Sequence, residues 1–222
     1  MLKIAVYDSG FGGELFADFL KEELDVAEVV RVIDWRNADQ ILGNRRSARK
    51  AAETAIRPYI GRVDLIVFAN HLLTSTSLKY FKHKYKTQKF SGFELTSPDT
   101  FIGHPTFILA TKAVTRTFYY RNFVSKLKRK VATIILDDWP AKIDDGELSL
   151  EEIQEKIKLA VLKYGFSPDE LILACSQFTD IKDELIKSFN HSIKIYDSFS
   201  DAYYQVCKIL KLRGGAYRKQ RK

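Results

Sequence analysis

The stretch that decides the fold reads Lys3-Ile4-Ala5-Val6-Tyr7-Asp8-Ser9-Gly10-Phe11-Gly12-Gly13. Its apolar part, from Ile4 to Tyr7, is short and has no helical period, which is typical of a buried strand. The strand ends in an acid, a hydroxyl and a glycine-rich turn, and the residues that follow have the spacing of an amphipathic helix. In an open parallel sheet, such a strand, turn and helix present a ligand site at the carboxyl end of the strand. The stretch therefore predicts an α/β protein with a site near Asp8 and Ser9.

The same turn argues against a nucleotide site of the common kinds. Its glycines permit positive φ angles and a close approach of the backbone to a ligand. However, no Gly-Lys-Ser/Thr follows, so the turn is not a Walker loop, and an acid inside it does not suit a pyrophosphate. A different class of small ligand is expected at this strand end.

The composition of the whole chain limits the remaining classes. The 222 residues allow one large or two small domains, and 45% of them are hydrophobic. No apolar run approaches the roughly 18 residues of a membrane span, and the first residues enter a strand directly, unlike a signal peptide. The two cysteines, Cys175 and Cys207, form neither a disulfide framework nor a zinc set. We therefore expect a cytoplasmic protein with no membrane association and no metal.

Positive charge is concentrated in three places. The formal net charge is +8, and six of the basic residues lie in the tail 211–222, which contains no acid. Two further lysine- and arginine-rich runs, 79–89 and 116–130, are interleaved with aromatic residues. A nucleic-acid surface is compatible with this pattern, but solvated helix faces and a charged tail explain it more simply.

The second half of the chain repeats the plan of the first. Leu65-Ile66-Val67-Phe68-Ala69-Asn70 echoes Leu171-Ile172-Leu173-Ala174-Cys175-Ser176 at an equivalent strand end. The best hinge between the halves is the turn-forming sequence Thr96-Ser97-Pro98-Asp99. The pattern predicts two pseudo-repeated α/β units with mainly parallel sheets that face each other across a central cleft. Within them we expect a fourth strand over 90–95, a single helix over 113–126 and an irregular acidic connection over 137–146.

Four motifs resemble the aspartate/glutamate racemase superfamily, most closely glutamate racemase. The opening stretch matches the family's strand followed by Asp-Ser-Gly-x-Gly-Gly, and the order and spacing of the motifs hold over nearly the whole chain. The other three are Ile108-Leu109-Ala110-Thr111-Lys112-Ala113, Leu173-Ala174-Cys175-Ser176-Gln177-Phe178 and Ile195-Tyr196-Asp197-Ser198. The resemblance implies that the last helix returns to the first unit, giving domains of 1–96 plus 198–222 and of 97–197. It also implies a cofactor-independent site for a small carboxylate or amino acid, in a family related to peptidoglycan synthesis.

The family's reaction needs two acid/base groups on opposite faces of the substrate, and this chain keeps one of them. By the resemblance, both groups are cysteines, whose ordinary pKa of about 8.5 is readily tuned. Cys175 matches the second cysteine, whereas Ala69 stands where the first is expected. A methyl group cannot carry a proton. Cys207 is no substitute, because its place in the last helix indicates a core residue.

Other positions depart from the family pattern as well. The family's Pro-Tyr-Gly loop, which helps to hold the substrate carboxylate, appears here as Ile41-Leu42-Gly43. In the same comparison, Val114 replaces a threonine and Gln177 replaces a histidine. The segment 137–146 does not resemble the family's corresponding stretch, which is apolar and contains cysteine and proline. His71 is a further candidate catalytic residue, and the resemblance assigns catalytic positions to Cys175 and Asp8. It assigns substrate contacts to the following residues: Ser9, Gly43, Asn70, Thr111, Ser176 and Gln177.

His71 admits two interpretations. It stands where the family has a substrate-contacting threonine, so its imidazole would be able to replace the lost base. A partly buried, hydrogen-bonded histidine with a structural role explains it more simply. Asp8 and Ser9 likewise have an alternative role, as turn residues that cap the following helix.

Three functional hypotheses follow. The first is a racemase-like protein that has lost two-base racemisation and either binds a small acid or performs one-base chemistry through Cys175. The second is an active amino-acid racemase or isomerase that pairs Cys175 with His71. The third is a basic regulatory module that binds nucleic acid or an acidic protein; nucleic acid is the less favoured partner, and the oligomeric state stays open.

Overall fold

The computed structural model describes residues 1–25, 27–95, 104–127 and 130–212. The predicted hinge at Thr96–Asp99 and most of the basic tail lie outside these residues. The chain divides into two compact units, one formed by Met1–Glu94 and the chain from Phe199, the other by Leu95–Ser198. In the described part of the chain, no helix combines the length and the apolar character that a membrane crossing requires.

The first unit contains a four-stranded parallel sheet with the strand order β2-β1-β3-β4. Its strands are β1 (Leu2–Asp8), β2 (Ala27–Ile33), β3 (Leu65–Phe68) and β4 (Phe90–Gly92). Its helices are α1 (Phe11–Glu23), α2 (Ala38–Gly43), α3 (Arg45–Ile56) and α4 (His71–Lys84).

Alternation along β1 explains how both faces of this sheet are covered. Ile4 and Val6 point to one face and belong to the same core cluster as Phe16 of α1. Ala5 and Tyr7 point to the other face, where residues of α3 and α4 cover them. Helix α10 (Ser198–Leu210) contributes Phe199, Ala202, Tyr203, Val206 and Cys207 to the first of these cores. Because both faces are buried, the strands read as continuous apolar runs.

The second unit has a sheet of the same design, with the order β6-β5-β7-β8 and all pairs parallel. Its strands are β5 (Thr106–Ala110), β6 (Val131–Ile135), β7 (Glu170–Ala174) and β8 (Lys194–Tyr196). Its helices are α5 (Lys112–Thr115), α6 (Phe118–Lys126), α7 (Trp139–Asp144), α8 (Leu150–Tyr164) and α9 (Lys182–Lys187). The predicted fold class, two α/β units with parallel sheets, is therefore confirmed.

Three local predictions were wrong. The expected helix over 113–126 is two helices, because Thr117 adopts an extended conformation and its hydroxyl caps α6 by accepting from the N–H of Tyr120. The connection over 137–146 contains α7, which has a proline in its first turn, where a missing N–H has no helical partner to lose. Strand β4 ends at Gly92 rather than near residue 95.

Candidate functional site

In each unit, the predicted site residues lie where the strand order reverses. β1 has β2 on one side and β3 on the other, and β5 has β6 and β7 in the same way. Open parallel sheets bind ligands outside the carboxyl ends of the strands at such a switch point. Tyr7 lies opposite Phe68 and Ala110 opposite Ala174. The switch point of the first unit therefore carries Asp8 beside Ala69, and that of the second carries Thr111 beside Cys175.

Asp8 is the central acid of the first unit. It is 1% exposed, and its Oδ1 accepts hydrogen bonds from the backbone N–H of Ser9 at 2.7 Å and from Nδ2 of Asn70 at 2.9 Å. Gly13 lies directly against it: a Cβ atom on Gly13 would stand 2.3 Å from the Cβ of Asp8. The glycine in the turn is needed here for close packing, because any side chain would displace the carboxylate.

Asn70 joins the two strand ends of the first unit. Its Nδ2 donates to Asp8, while its Oδ1 accepts from the backbone N–H of Leu73 at 2.9 Å and so caps α4. One side chain thus satisfies a free helix-terminal N–H and positions a buried carboxylate. The predicted neighbours Asp8, Ser9 and Asn70 are brought together.

His71 is the first residue of α4 and is buried, with 6% of its surface exposed. Burial lowers the pKa of its imidazole to about 4, although a hydrogen bond with the backbone of Phe93 acts in the opposite direction. The Phe93 ring lies 5.7 Å away, between ring centroids. At neutral pH this imidazole is uncharged, and a base with so low a pKa is a poor proton acceptor.

Ala69 directly follows strand β3. Its side chain is fully buried and belongs to an apolar cluster that includes Phe16, Phe93 and Phe199. The ring centroids of Phe16 and Phe93 are 4.9 Å apart, and those of Phe16 and Phe199 are 5.1 Å apart. The position that the resemblance aligns with the family's first cysteine is thus surrounded by apolar side chains.

Gly43 is the last residue of helix α2. Ile41, in the same short helix, is 3% exposed and belongs to the same core cluster as Tyr7. The segment that the resemblance aligns with a substrate-binding loop is therefore a helix anchored in the core of its own unit.

The first backbone N–H of the helix that follows β5 is hydrogen-bonded to an acidic side chain of the protein. Thr111 has an extended conformation and precedes α5. The N–H of the next residue, Lys112, donates to Oδ1 of Asp137 at 2.6 Å. A carboxylate beside a helix start is favourable, because the first N–H groups of a helix have no helical partner. Sequence reasoning did not assign Asp137 to the site, although it noted that its segment departs from the family pattern.

Cys175 is half-buried at the end of β7 and interacts with its neighbour Gln177. Its Sγ donates to Oε1 of Gln177 at 3.0 Å, and the hydroxyl of Ser176 donates to the same oxygen at 3.1 Å. A hydrogen bond in which the thiol is the donor favours its protonated form. The predicted residues Cys175, Ser176 and Gln177 are therefore in contact.

Asp144 extends this cluster and was missed in the sequence. Although part of its side chain is exposed, burial of the rest raises its pKa to about 6. Negative charge on Asp145 and Asp180 acts in the same direction, whereas a hydrogen bond from Gln177 acts against it. The carboxyl group of Asp144, which is connected to Cys175 through Gln177, is thus partly protonated just below neutral pH. The acidic run 144–145 was the available signal, but sequence spacing does not reveal that α7 brings it to Gln177.

The motif at the end of β8 forms polar contacts within the second unit. Asp197 is 5% exposed, and its Oδ2 accepts from Nζ of Lys182 at 2.8 Å. The Ser198 hydroxyl donates to the carbonyl oxygen of Leu173 at 3.4 Å. Among the residues that the structure describes, no three histidine, cysteine or acidic side chains are grouped to hold a metal ion.

Comparison with known proteins identifies relatives in sequence and in fold. No family model matches the chain. A glutamate racemase of Lachnospira eligens is 21% identical over 204 residues, which cover 88% of this chain and 77% of that protein.

Solved structures of racemases share the fold at low sequence identity. Escherichia coli glutamate racemase, crystallised with L-glutamate and the activator UDP-MurNAc-Ala, matches with a TM-score of 0.79 at 17% identity, over 95% of this chain and 82% of that one. Campylobacter jejuni glutamate racemase gives 0.76 at 20% identity, over 93% and 85%. Picrophilus torridus aspartate racemase gives 0.66 at 17% identity, over 98% and 97%. The chain has the fold of the glutamate and aspartate racemases, and its predicted resemblance to the aspartate/glutamate racemase superfamily is confirmed.

Proposed function

We propose that this chain is a racemase-like protein that has lost two-base racemisation. In this proposal it either binds a small carboxylic or amino acid without turnover or performs one-base chemistry through Cys175. The observation that carries the proposal is Ala69, which the motif resemblance aligns with the family's first cysteine and which is fully buried among apolar side chains. Racemisation requires proton transfer on both faces of the α-carbon, and a methyl group supplies none.

The surroundings of His71 support the same proposal. Its pKa of about 4 leaves the imidazole neutral and weakly basic at physiological pH. A replacement base would need a pKa closer to the working pH. We therefore assign His71 a structural role in the first unit, in preference to pairing with Cys175.

The hydrogen bond of Cys175 suits a proton donor better than a base. A thiol that donates to Gln177 Oε1 is held in its protonated form. In a decarboxylation, the bond between the α-carbon and a carboxylate breaks, carbon dioxide leaves, and the resulting carbanion takes one proton. The Cys175 thiol would supply that proton and then recover one from water. One donor is sufficient for this reaction, whereas racemisation requires two.

Ligand binding is expected to differ from that of an active racemase. The N–H of Lys112 already donates to Asp137, and the segment that ends at Gly43 is a helix with a core residue. Both features reduce the donors available to a substrate carboxylate. That the ligand lies between the two units stays a prediction.

Incubation in deuterated water tests the proposal. Wild-type protein, Cys175→Ala and Cys207→Ala are each given D-glutamate, L-glutamate, both aspartate enantiomers or methylmalonate, and the products are read by NMR and chiral chromatography. We expect no racemisation; any deuterium incorporation should require Cys175 and be unaffected in Cys207→Ala. Interconversion of D- and L-glutamate at comparable rates would contradict the proposal and favour the active racemase.

A further inference from the structure

A basic groove lies on the surface of the first unit, separate from the residues discussed above. It has a volume of about 650 Å³ and is formed by helix α3 together with Tyr80 of α4. We call it the α3 groove; its lining residues are Arg45, Arg46, Arg49, Lys50, Glu53, Thr54, Arg57 and Tyr80. Neither the racemase resemblance nor the proposed function assigns it a role.

The spacing of α3 collects these side chains on one face. Residues four apart in a helix lie one above the other. Arg45, Arg49, Glu53 and Arg57 form one such column, and Arg46, Lys50 and Thr54 form the next. The opposite face carries Ala48, Ala51, Ala52 and Ile56, which are buried in the core. The helix thus packs on its small apolar residues, and its other side carries Arg45, Arg46, Arg49 and Lys50, with Arg57 directly after its end.

The lining of the groove carries more positive than negative charge. Glu53 is its one acidic lining residue, and it already accepts hydrogen bonds from Lys84 Nζ at 2.6 Å and from the hydroxyl of Tyr85. Among the described side chains, Arg45, Arg46, Arg49, Lys50 and Arg57 form no ion pair. A ligand carrying several negative charges would find an uncompensated positive field.

Arg49 is fixed in place on the floor of the groove. Its Nη2 donates to the carbonyl oxygen of Thr76 at 2.9 Å, and its guanidinium lies 4.4 Å from the centroid of the Tyr80 ring. Its Nε is buried and has no hydrogen-bond partner among the residues that the structure describes. A guanidinium oriented in advance loses less conformational entropy when it binds an anion.

In the absence of a ligand, the closely spaced positive charges of the groove destabilise helix α3. Like charges four residues apart, such as Arg45 with Arg49 and Arg46 with Lys50, destabilise a helix. Arg45 and Arg46 also stand in the first turn, where the helix dipole disfavours cations. A bound anion would relieve both effects.

We propose that the α3 groove binds a small ligand with two or more adjacent phosphate groups. Its volume falls within the roughly 300–1,000 Å³ of small-molecule sites. Arginine forks match phosphate geometry in two simultaneous hydrogen bonds. Single-stranded nucleic acid is less well matched, since its binding relies on open aromatic faces for base stacking, and Arg49 covers a face of Tyr80.

Calorimetric titration tests this proposal with inorganic tripolyphosphate and with ATP, in about 0.1 M salt and without divalent metal. Wild-type protein is compared with the double variant Arg46→Gln/Lys50→Gln, which leaves the Arg49 clamp intact. The matched control, Lys158→Gln/Lys187→Gln, removes the same charge from exposed positions of the second unit. We expect the α3 variant to bind both probes about tenfold more weakly, and the control to stay within about twofold of wild type.

Several results would overturn the proposal. Equal weakening in the control variant would mean that net charge, and not the groove, attracts the probes. Failure of both probes to bind wild-type protein would exclude a phosphate site. Tight binding of single-stranded RNA with no binding of the two small probes would identify a nucleic-acid surface instead. Because no probe is a racemase substrate, these outcomes are independent of the proposed function.

Discussion

The thiol of Cys175 donates a hydrogen bond to Oε1 of Gln177, with 3.0 Å between sulfur and oxygen. The acceptor is a neutral carbonyl oxygen, so the contact stabilises the thiol and is lost on ionisation. Asp144 hydrogen-bonds the same glutamine, and two more acids act on Asp144. The surroundings of Cys175 therefore favour protonated sulfur and give it the character of a proton donor.

The first prediction concerns the reactivity of Cys175 with iodoacetamide. Because the reactive species is the thiolate, alkylation should be slow at pH 7 and accelerate towards pH 9. Gln177→Leu removes the acceptor and should accelerate the reaction at pH 7 several-fold. Mass spectrometry separates Cys175 from the buried Cys207, and Cys175→Ser provides the blank.

A different pH profile would contradict this assignment. Rapid alkylation at pH 6 to 7 that disappears in His71→Ala would show that an imidazole activates the thiol. Such a result would favour the active racemase that uses Cys175 with His71.

The second prediction concerns restoration of the missing thiol by Ala69→Cys. The added sulfur would enter an apolar cluster in which Ala69 is fully buried. The shortage of hydrogen-bond donors for a substrate carboxylate would remain. We expect no substantial racemisation of glutamate, together with a modest loss of stability of roughly 1–3 kcal/mol from overpacking. Chiral chromatography and thermal unfolding measure the two effects. Robust turnover from this single substitution would disprove the degenerate-site proposal.

Most of the fold and part of the candidate site could be predicted from the sequence. Buried parallel strands appear as continuous apolar runs, so Ile4 to Tyr7 and Leu171 to Ala174 were identified without ambiguity. Pairing of strand ends by the parallel topology then grouped Asp8 with Asn70. The break at Thr117 was missed because a hydroxyl that caps a helix is indistinguishable in sequence from one exposed on a helix face.

Polar contacts between residues that are distant in the chain could not be predicted from the sequence. Asp137 accepts a hydrogen bond from the N–H of Lys112, although the two residues are 25 positions apart in the chain. Asp144 reaches Gln177 only because α7 forms where an irregular connection was expected. Neither partner is specified by periodicity, since a polar side chain at a strand end has several donors within reach.

The third prediction concerns the pH dependence of stability through His71. Its pKa falls from 6.5 in the unfolded chain to about 4 in the folded protein. Between these values the unfolded state binds a proton that the folded state does not, so stability decreases as the pH falls. The contribution is fully present above pH 6.5 and is lost as the pH falls towards 4.

Urea unfolding at pH 7 and at pH 4.5 measures this effect. Wild-type protein should lose about 2–3 kcal/mol more than His71→Gln over this interval, because glutamine does not titrate. NMR titration of the imidazole should give a midpoint near pH 4. A midpoint at or above 6.5 would place His71 in a polar environment and reopen a catalytic role.

The last prediction separates the two contacts of Asn70, which caps α4 and donates to Asp8. Asn70→Ser retains a capping oxygen but is too short to reach Asp8, so it isolates the loss of the Asp8 contact. A hydrogen bond to a charged, buried acceptor contributes about 1.5–3 kcal/mol, and we expect a decrease of that size in the free energy of unfolding. Asn70→Ala also removes the cap and should lose about 1 kcal/mol more. Asn44→Ala is the matched control, because Asn44 caps α3 through the N–H groups of Arg46 and Ser47 and should lose the cap contribution alone. If Asn70→Ser were as stable as wild type and Asn70→Ala resembled Asn44→Ala, the bond from Asn70 to Asp8 would contribute nothing, and the first-unit site would depend on the turn alone.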